Sequence, residues 1–130
     1  MQLVNAMTAN PVTVTSRDTL AKAKALMDAG RFRRLPVVDG GRLIGIVTER
    51  DLRDHSGALD YTRVDAAMCS RVVTVGADDS VEDAARLMLK HKIGGLPVME
   101  DGKLAGIVTM TDVVKGFLRI VEATQQIMND

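Results

Sequence analysis

Several residue types and patterns are scarce in this chain, and each scarcity excludes a class of protein. The 130 residues contain one cysteine, which cannot form a disulfide within the chain, and no Trp, one Tyr and two Phe. So few aromatic side chains cannot form the stacking platforms used by proteins that bind single-stranded nucleic acid. The apolar runs are far shorter than the about 18 residues of a membrane-spanning helix, and residues 1–10 lack the pattern of a signal peptide. We therefore expect a cytoplasmic protein that does not enter a membrane.

An excess of charge of one sign is also absent. Lys+Arg and Asp+Glu each number 17, so the formal net charge at pH 7 is +0. Such a chain has no overall basic field that would attract nucleic acid or an anionic membrane surface. We expect no nucleic-acid partner, and any anionic ligand must be held by local charge.

The familiar catalytic and metal-binding patterns are absent as well. The two histidines, His55 and His91, do not form a zinc-ligand spacing with Cys69. The chain has no Gly-x-Gly-x-x-Gly or Walker pattern, and no Ser, His and Asp set stands out as a triad. We therefore expect no catalytic residue, no metal and no enzyme activity.

The chain does contain an internal repeat that covers most of its length. Residues 4–54 and 65–115 align without a gap, and Met68 follows Met7 by the same 61 positions by which Asp112 follows Asp51. The other matched segments are Val12-Thr13-Val14 with Val73-Thr74-Val75, Leu26-Met27 with Leu87-Met88, Leu35-Pro36-Val37 with Leu96-Pro97-Val98, and Gly45-Ile46-Val47-Thr48 with Gly106-Ile107-Val108-Thr109. Two copies are too few for a repeat array. The sequence thus predicts two motifs, residues 1–62 and 63–130, related by a pseudo-two-fold axis.

Each copy is predicted to contain a strand, a helix, a hairpin of two strands and a second helix. In the first copy, Val12-Thr13-Val14 alternates as a short strand does, and Leu20 to Ala29 has apolar residues at helical spacing before Gly30 ends the helix. Leu35 to Val38 and Leu43 to Val47 flank a glycine-bearing turn, which is typical of a hairpin. The second copy repeats this pattern.

The second copy has two clear helix signals of its own. Ser80-Val81-Glu82-Asp83 predicts a capping box at the start of its first helix. Beyond Asp112 the chain stays compatible with a helix to Met128. Five apolar residues form one stripe on this last helix: Val113, Val114, Phe117, Leu118 and Val121. The stripe must be buried against its own domain or against a second copy of the chain, and a homodimer is the expected outcome.

Two Thr-x-x-Asp segments, Thr48 to Asp51 and Thr109 to Asp112, each follow an apolar strand and open a helix. In one interpretation they are only helix caps, with a hydroxyl and a carboxylate near the positive end of the helix dipole. In the other, the same groups bind a ribose diol while helix amides approach a phosphate. The motif alone favours the first interpretation and leaves the second open.

A cluster of arginines precedes the first hairpin. Arg31-Phe32-Arg33-Arg34 is either a solvated loop or, at the edge of a cleft, a set of bidentate phosphate ligands. The equivalent segment of the second copy is Lys92-Ile93-Gly94-Gly95, which lacks most of that positive charge. This is the sharpest difference between the two copies.

Taken together, these segments resemble the CBS (cystathionine beta-synthase) domain family. The matching features are the Met-x-x-x-x-Val-x-Thr-Val opening, the helix ending in Leu-Met, Leu-Pro-Val before a glycine turn, and Gly-Ile-Val-Thr-x-x-Asp at the end of each copy; they extend from residue 4 to about residue 118. The resemblance implies an α/β (α+β) fold of two β-α-β-β-α motifs packed through their sheets, a pair often called a Bateman module.

The resemblance also implies a function. Such pairs regulate rather than catalyse, commonly dimerise, and commonly bind AMP, ADP, ATP or S-adenosylmethionine in clefts between the two copies. The implied partners are therefore an adenosine-containing small molecule, a second copy of the chain, and a regulated enzyme or transporter. No cofactor other than that regulatory ligand is expected. The alternative is a structural dimerisation module with vestigial clefts.

The resemblance assigns ligand-binding residues to two clefts. One cleft combines Ile107, Thr109 and Asp112 with Arg33, Arg34 and the Val12-Thr13 strand. The other combines Ile46, Thr48 and Asp51 with Val73, Gly94 and Gly95. In this assignment the two aspartates bind ribose hydroxyls, aliphatic residues enclose the adenine, and the arginines bind a phosphate in the first cleft only. The second cleft departs from the basic pattern because glycines replace the arginines, which leaves Lys92 or Arg50 as the alternative source of positive charge there.

Overall fold

The computed structural model describes residues 1–129, and within that range it has six β-strands and five α-helices after a short 3-10 helix at Leu3–Asn5. In chain order the elements are β1 Thr8–Ala9, α1 Leu20–Gly30, β2 Arg34–Asp39, β3 Arg42–Thr48, α2 Glu49–Asp54, α3 Val64–Ala67, β4 Val75–Gly76, α4 Val81–His91, β5 Gly95–Glu100, β6 Lys103–Thr109 and α5 Met110–Asn129. The predicted mixed α/β fold, with a hairpin after the first helix of each copy, is confirmed. None of the helices in residues 1–129 is long and apolar enough to cross a membrane.

The chain divides into two compact units whose limits differ from those of the sequence repeats. The first-motif unit is Pro11–Val72, and the second-motif unit contains residues 1–10 together with the chain from Val73 onwards. The predicted boundary between residues 62 and 63 separates the repeats, whereas each compact unit incorporates the opening segment of the other motif, residues 1–10 in one unit and residues 63–72 in the other. The cause is backbone pairing, since Thr8 lies opposite Ile107 in the β1–β6 pair and Cys69 forms a bridge with Ile46. Asp130, the last residue of the predicted second motif, lies outside the described residues.

The first-motif unit is built on the antiparallel β2–β3 hairpin. Its register places Arg34 opposite Thr48 at the open end and Asp39 opposite Arg42 at the turn. The buried core consists of Val14, Leu20, Ala23, Met27, Leu35, Val37, Val47, Leu52 and Val64. These residues recur at helical spacing in α1 and at alternate positions in β2, so each element buries one apolar face.

The second-motif unit contains a four-stranded sheet in the order β1-β6-β5-β4. The β5–β6 hairpin repeats the register of the first hairpin, and β4 adds to it in parallel, with Val75 opposite Val98. The buried core consists of Leu3, Val75, Ala77, Val81, Ala84, Met88, Leu96, Val98, Val108 and Val113. The predicted capping box at the start of α4 is confirmed, because Ser80 Oγ accepts from the Asp83 amide at 3.0 Å and Asp83 Oδ2 accepts from the Ser80 amide at 3.3 Å.

Two local predictions were wrong. The expected strand at residues 12–14 is reduced to one bridge between Val14 and Val37, because only Val14 exchanges backbone hydrogen bonds with β2. Helix α1 was expected to stop before Gly30, but it includes Gly30 as its last residue. The left-handed residue that follows the helix is Arg31, at φ 57°. The ring of Phe32 occupies the place of a Gly30 Cβ. A side chain at residue 30 would therefore require the Phe32 ring to move.

Candidate functional site

The two Thr-x-x-Asp segments form the same helix start in both units. In the first-motif unit, Asp51 Oδ2 accepts from the Thr48 amide at 2.8 Å and from its hydroxyl at 3.1 Å, while Thr48 Oγ1 accepts from the Asp51 amide at 3.3 Å. In the second-motif unit, the corresponding distances between Thr109 and Asp112 are 2.9, 3.0 and 3.3 Å. Both segments are therefore true helix caps.

These caps use only one oxygen of each carboxylate. Within residues 1–129, Oδ1 of Asp51 and Oδ1 of Asp112 have no hydrogen-bond partner. Both aspartates are half-buried. An ionised carboxylate oxygen accepts more than one hydrogen bond, so Oδ1 can accept from a ribose hydroxyl while Oδ2 holds the helix start. Helix capping and ribose binding are thus compatible at the same residue.

Arg33 and Arg34 lie beside this corner in the first-motif unit. Arg34 is the register partner of Thr48, and the Arg33 carbonyl accepts from the Glu49 amide at 2.8 Å. The hairpin backbone therefore places the two arginines next to the Thr48–Asp51 cap. The sequence prediction had assigned these arginines and Asp51 to different ligands and did not anticipate that adjacency.

The two arginines form a local positive charge without a counterion. Burial lowers the pKa of Arg34, and the neighbouring Arg33 guanidinium lowers it further. Neither side chain forms an ion pair or a hydrogen bond with any other described residue. Because a guanidinium in a protein remains charged, a bound anion would stabilise this pair through charge-assisted hydrogen bonds.

The second-motif unit has the same backbone geometry without the charge. Gly95 lies opposite Thr109, and the Gly94 carbonyl accepts from the Met110 amide at 2.9 Å. Ile107 lies opposite Pro97, as Ile46 lies opposite Pro36 in the other unit. The difference in charge between the two copies therefore occurs at equivalent backbone positions.

The structure places half of the predicted ligand-binding residues in each unit. Thr13 is exposed in the loop before Val14, and Val73 is half-buried against the core of the second-motif unit. The first-motif unit contains Thr13, Arg33, Arg34, Ile46, Thr48 and Asp51, and the second-motif unit contains Val73, Gly94, Gly95, Ile107, Thr109 and Asp112. That one ligand binds residues from both units stays a prediction.

One polar contact near Thr13 was missed by the sequence reasoning. Asp39 accepts a hydrogen bond from the Ser16 hydroxyl at 2.6 Å and another from the Ser16 amide at 3.0 Å. These two bonds, the hydroxyl first, lower the pKa of Asp39. The second copy has Ala77 and Glu100 at these positions, so the repeat itself gives no signal of the contact. The contact anchors the loop that follows Thr13 to the end of β2.

No group of three or more His, Cys, Asp or Glu side chains in residues 1–129 is arranged to hold a metal ion. The polar groups at the two helix starts are instead hydroxyls, carboxylates and, in one unit, guanidiniums. Such groups can donate to or accept from hydroxyls and phosphates.

Comparison with known proteins agrees with these features. The family model for the CBS domain matches residues 3–57 and 64–119. The chain is 34% identical over 117 residues to inosine-5'-monophosphate dehydrogenase of Staphylococcus aureus, a match that covers 85% of this chain and 23% of the dehydrogenase. It thus spans less than a quarter of that relative.

The solved structures that match nearly the whole chain include two with adenosine-bearing ligands. CBSX2 in complex with AMP is 31% identical with a TM-score of 0.82, and the match covers 92% of this chain and 97% of CBSX2. The CBS domain pair of protein MJ0100, in complex with 5'-methylthioadenosine and S-adenosyl-L-methionine, is 28% identical with a TM-score of 0.82. That match covers 90% of this chain and 95% of the MJ0100 chain.

Proposed function

The chain belongs to the CBS domain family, and on that premise we propose that it is a regulatory module that binds an adenine nucleotide or S-adenosylmethionine. The ligands named for two of its structural neighbours support this proposal, because AMP, 5'-methylthioadenosine and S-adenosylmethionine all contain adenosine. A site for such ligands must recognise a ribose and an adenine, and it needs positive charge when the ligand carries a phosphate.

The observation that carries the proposal is that Arg34 has no counterion within residues 1–129 and lies beside Asp51, whose carboxylate accepts hydrogen bonds through only one of its two oxygens. Arg34 is partly buried without a counterion, and Asp51 beside it has a free Oδ1. A bound phosphate would pair with the Arg34 guanidinium, and the ribose of a bound adenosine ligand would donate to Oδ1 of Asp51; in the assignment below these two groups belong to different ligands. A purely structural helix start requires neither the guanidinium nor the second carboxylate oxygen.

The proposed assignment of residues follows the family resemblance. Asp112 binds the ribose of the ligand whose phosphate is bound by Arg33 and Arg34, and Asp51 binds the ribose at the site that has Gly94 and Gly95. The first site then prefers AMP, ADP or ATP, whereas the second lacks the two guanidiniums.

Ligand co-purification tests the proposal. The protein is purified from cells, denatured, and the released small molecules are identified by mass spectrometry, with a double Asp51→Ala and Asp112→Ala variant as the matched control. We expect an adenosine-containing ligand from the wild type and much less from the variant. Equal amounts from both proteins, or none from either combined with no binding on later addition, would reject the proposal.

A structural dimerisation module is the second candidate function. It is favoured by the exposed stripe on α5, where Val114, Phe117, Leu118 and Val121 are 36% to 54% exposed although they are apolar. The stripe was expected to be buried, and Val113 alone of its five members is buried in the core of its own unit. We therefore propose a homodimer, and the two candidate functions differ only in whether a ligand binds.

The regulated partner is proposed from the family resemblance. The dehydrogenase relative combines a segment similar to this chain with a much longer remainder. We propose that the module regulates a cytoplasmic enzyme or transporter, whose contact with the module changes when the ligand binds. Affinity capture with and without AMP would identify such a partner.

A further inference from the structure

An open cavity lies on the first-motif unit, between the C-terminal half of α1 and α2. Its volume is about 520 Å³, within the range of about 300 to 1,000 Å³ that is usual for small-molecule sites. All of its lining residues fall between Lys24 and Leu59, so this one compact unit forms the whole cavity. Of these residues, the sequence reasoning had assigned only Arg33 to a site.

The early end of α2 leaves this cavity open. Helix α2 has 6 residues, whereas the equivalent helix α5 has 20. The chain then turns at Gly57, whose φ of 92° favours glycine, and the Leu59 carbonyl accepts from the Ala21 amide at 3.1 Å. The segment after α2 thus runs to the start of α1, and the space beside the end of α1 stays open. Ser56, which lines that space, is small, whereas the second copy has Phe117 at the equivalent position.

The floor of the cavity is apolar. Met27 and Leu52 line it and are only 3% and 6% exposed, so they are its deepest residues. Phe32 stands at the rim with 38% of its surface exposed, and its ring packs against Gly30. An apolar group of a ligand that lay on this floor would remove both the floor and the exposed side of the Phe32 ring from water.

The rim of the cavity has an excess of positive charge. Four cationic and two anionic side chains line the cavity. Both carboxylates are in exposed ion pairs with two of the cations, Lys24–Asp28 at 2.7 Å and Arg53–Glu49 at 3.4 Å. The other two cations, Arg31 and Arg33, form no ion pair and no side-chain hydrogen bond within residues 1–129. A ligand with two negative charges would balance them, and the planar guanidinium fork matches the oxygens of a phosphate.

The rim differs between the two repeats, although the floor does not. Met88 and Val113 are the equivalents of Met27 and Leu52, and all four are buried core residues. The rim residues Asp28, Arg33, Glu49, Arg53 and Ser56 stand where the second copy has Leu89, Gly94, Met110, Val114 and Phe117. A repeat therefore folds with an apolar floor and without a charged rim. The fold alone does not account for the charged rim of the first-motif unit.

We propose that this cavity binds a small organic phosphate, whose phosphate group pairs with Arg31 and Arg33 and whose apolar part lies on the floor beside Phe32. The site goes beyond the proposed adenosine function, because neither the threonines nor the aspartates of the two helix starts line it. It shares only Arg33 with the adenosine sites. Both of its carboxylates are in ion pairs, so a ribose diol has no unpaired carboxylate to bind here. The ligand class is therefore a phosphate on an apolar carbon skeleton rather than on a sugar.

Phenyl phosphate is a suitable probe, because it combines a phosphate with an apolar ring. Its titration into isotope-labelled protein at about pH 8, where a phosphate carries about two negative charges, should shift the amide NMR signals of Arg31, Phe32 and Ser56 saturably. Inorganic phosphate lacks the ring and benzyl alcohol lacks the charge, so each should bind about ten-fold or more weakly. Equal affinity for phenyl phosphate and either control would overturn the proposal, and so would the absence of saturable shifts at these amides.

Matched variants locate the bound probe. Arg31→Gln removes one of the two unpaired guanidiniums, and Ser56→Phe fills the edge of the cavity with the side chain of the second copy. Each should weaken phenyl phosphate binding by about ten-fold or more. Lys92→Gln, the repeat equivalent of Arg31→Gln, should bind normally. All three residues are exposed, and circular dichroism checks that each variant is folded. Normal affinity in both cavity variants would reject the site.

The double Asp51→Ala and Asp112→Ala variant separates this inference from the adenosine proposal. It should lose AMP binding and keep phenyl phosphate binding, because neither aspartate lines the cavity. If the folded variant loses both ligands, phenyl phosphate occupies the nucleotide site and the separate cavity site is rejected. If the wild type binds phenyl phosphate in the cavity but does not bind AMP, the adenosine proposal fails and the cavity site stands.

Discussion

Arg34 lies directly opposite Thr48 across the β2–β3 hairpin. Gly95 has the equivalent position opposite Thr109 in the other unit, and both threonines form the same cap with an aspartate. The two copies thus have the same backbone geometry at this corner and differ in the charge of the side chains there. Differences in ligand preference between the two copies are therefore expected to come from the side chains at residues 33 and 34.

Replacing both Arg33 and Arg34 by Ala should weaken AMP binding by ten-fold or more. A hydrogen bond to a charged group contributes about 1.5 to 3 kcal/mol, and about 1.4 kcal/mol is a factor of ten in affinity. The double variant should also lose the preference for AMP over adenosine. Arg42→Ala, at the turn end of the same hairpin, is the control and should bind normally. Calorimetric titration with AMP and adenosine measures both effects, and unchanged AMP affinity in the double variant would contradict the phosphate assignment.

Asp51→Ala and Asp112→Ala should have equal effects on stability and unequal effects on affinity. Each removes the same cap, which typically contributes about 1 kcal/mol, so urea unfolding should show similar losses. The affinity for AMP should fall by about ten-fold for Asp112→Ala and much less for Asp51→Ala. Equal losses of affinity would show that the two sites do not differ as proposed.

Gly106→Ala should destabilise the second-motif unit by about 1 to 3 kcal/mol, the usual cost of overpacking. A Cβ at Gly106 would lie 2.6 Å from Met7 Sδ and 2.7 Å from the Thr8 carbonyl oxygen. At Gly45 the equivalent backbone oxygen, that of Cys69, is 3.0 Å away, so Gly45→Ala should cost less. Urea unfolding compares the two variants. Equal stability of wild type and Gly106→Ala would contradict the close packing of residues 7 and 8 on β6.

Acid should remove the stabilisation provided by Asp39. Its hydrogen bonds from Ser16 lower its folded-state pKa, so the contribution is fully present above the unfolded pKa of about 3.9 and is lost as pH falls through the folded value. Asp39→Asn should therefore be less stable than the wild type at pH 7. The difference between the two proteins should shrink below about pH 4, where the carboxylate is protonated. Urea midpoints measured from pH 7 to pH 3 check this, and a difference that is constant with pH would reject it.

Much of the fold was predictable because its signals are local. The capping box at Ser80, the glycine turns of both hairpins and the helix beyond Asp112 all depend on neighbouring residues in the sequence. The pairing of Thr8 with Ile107 was not predictable, because it joins segments far apart in the chain and no local pattern records it. The same is true of the contact between Ser16 and Asp39.

The candidate site was predictable as a set of residue types but not as a geometry. The repeat identified the Thr-x-x-Asp segments and the arginines, and the structure shows that Arg34 and Thr48 are register partners. Counting outward from the turn does not give that register, since it shifts between Val37 and Val38. The free Oδ1 of each aspartate likewise depends on the rotamer adopted in the cap, which the sequence does not specify.

Calorimetric titration of ligand-free protein with AMP, ADP, ATP and S-adenosylmethionine tests the proposed function most directly. The protein should be unfolded and refolded first, so that any co-purified ligand is removed. At least one of the four compounds should bind with a dissociation constant below millimolar, and the double Asp51→Ala and Asp112→Ala variant should lose that binding. The absence of binding below millimolar concentration by all four compounds would contradict the assignment of this module as an adenosine-ligand sensor.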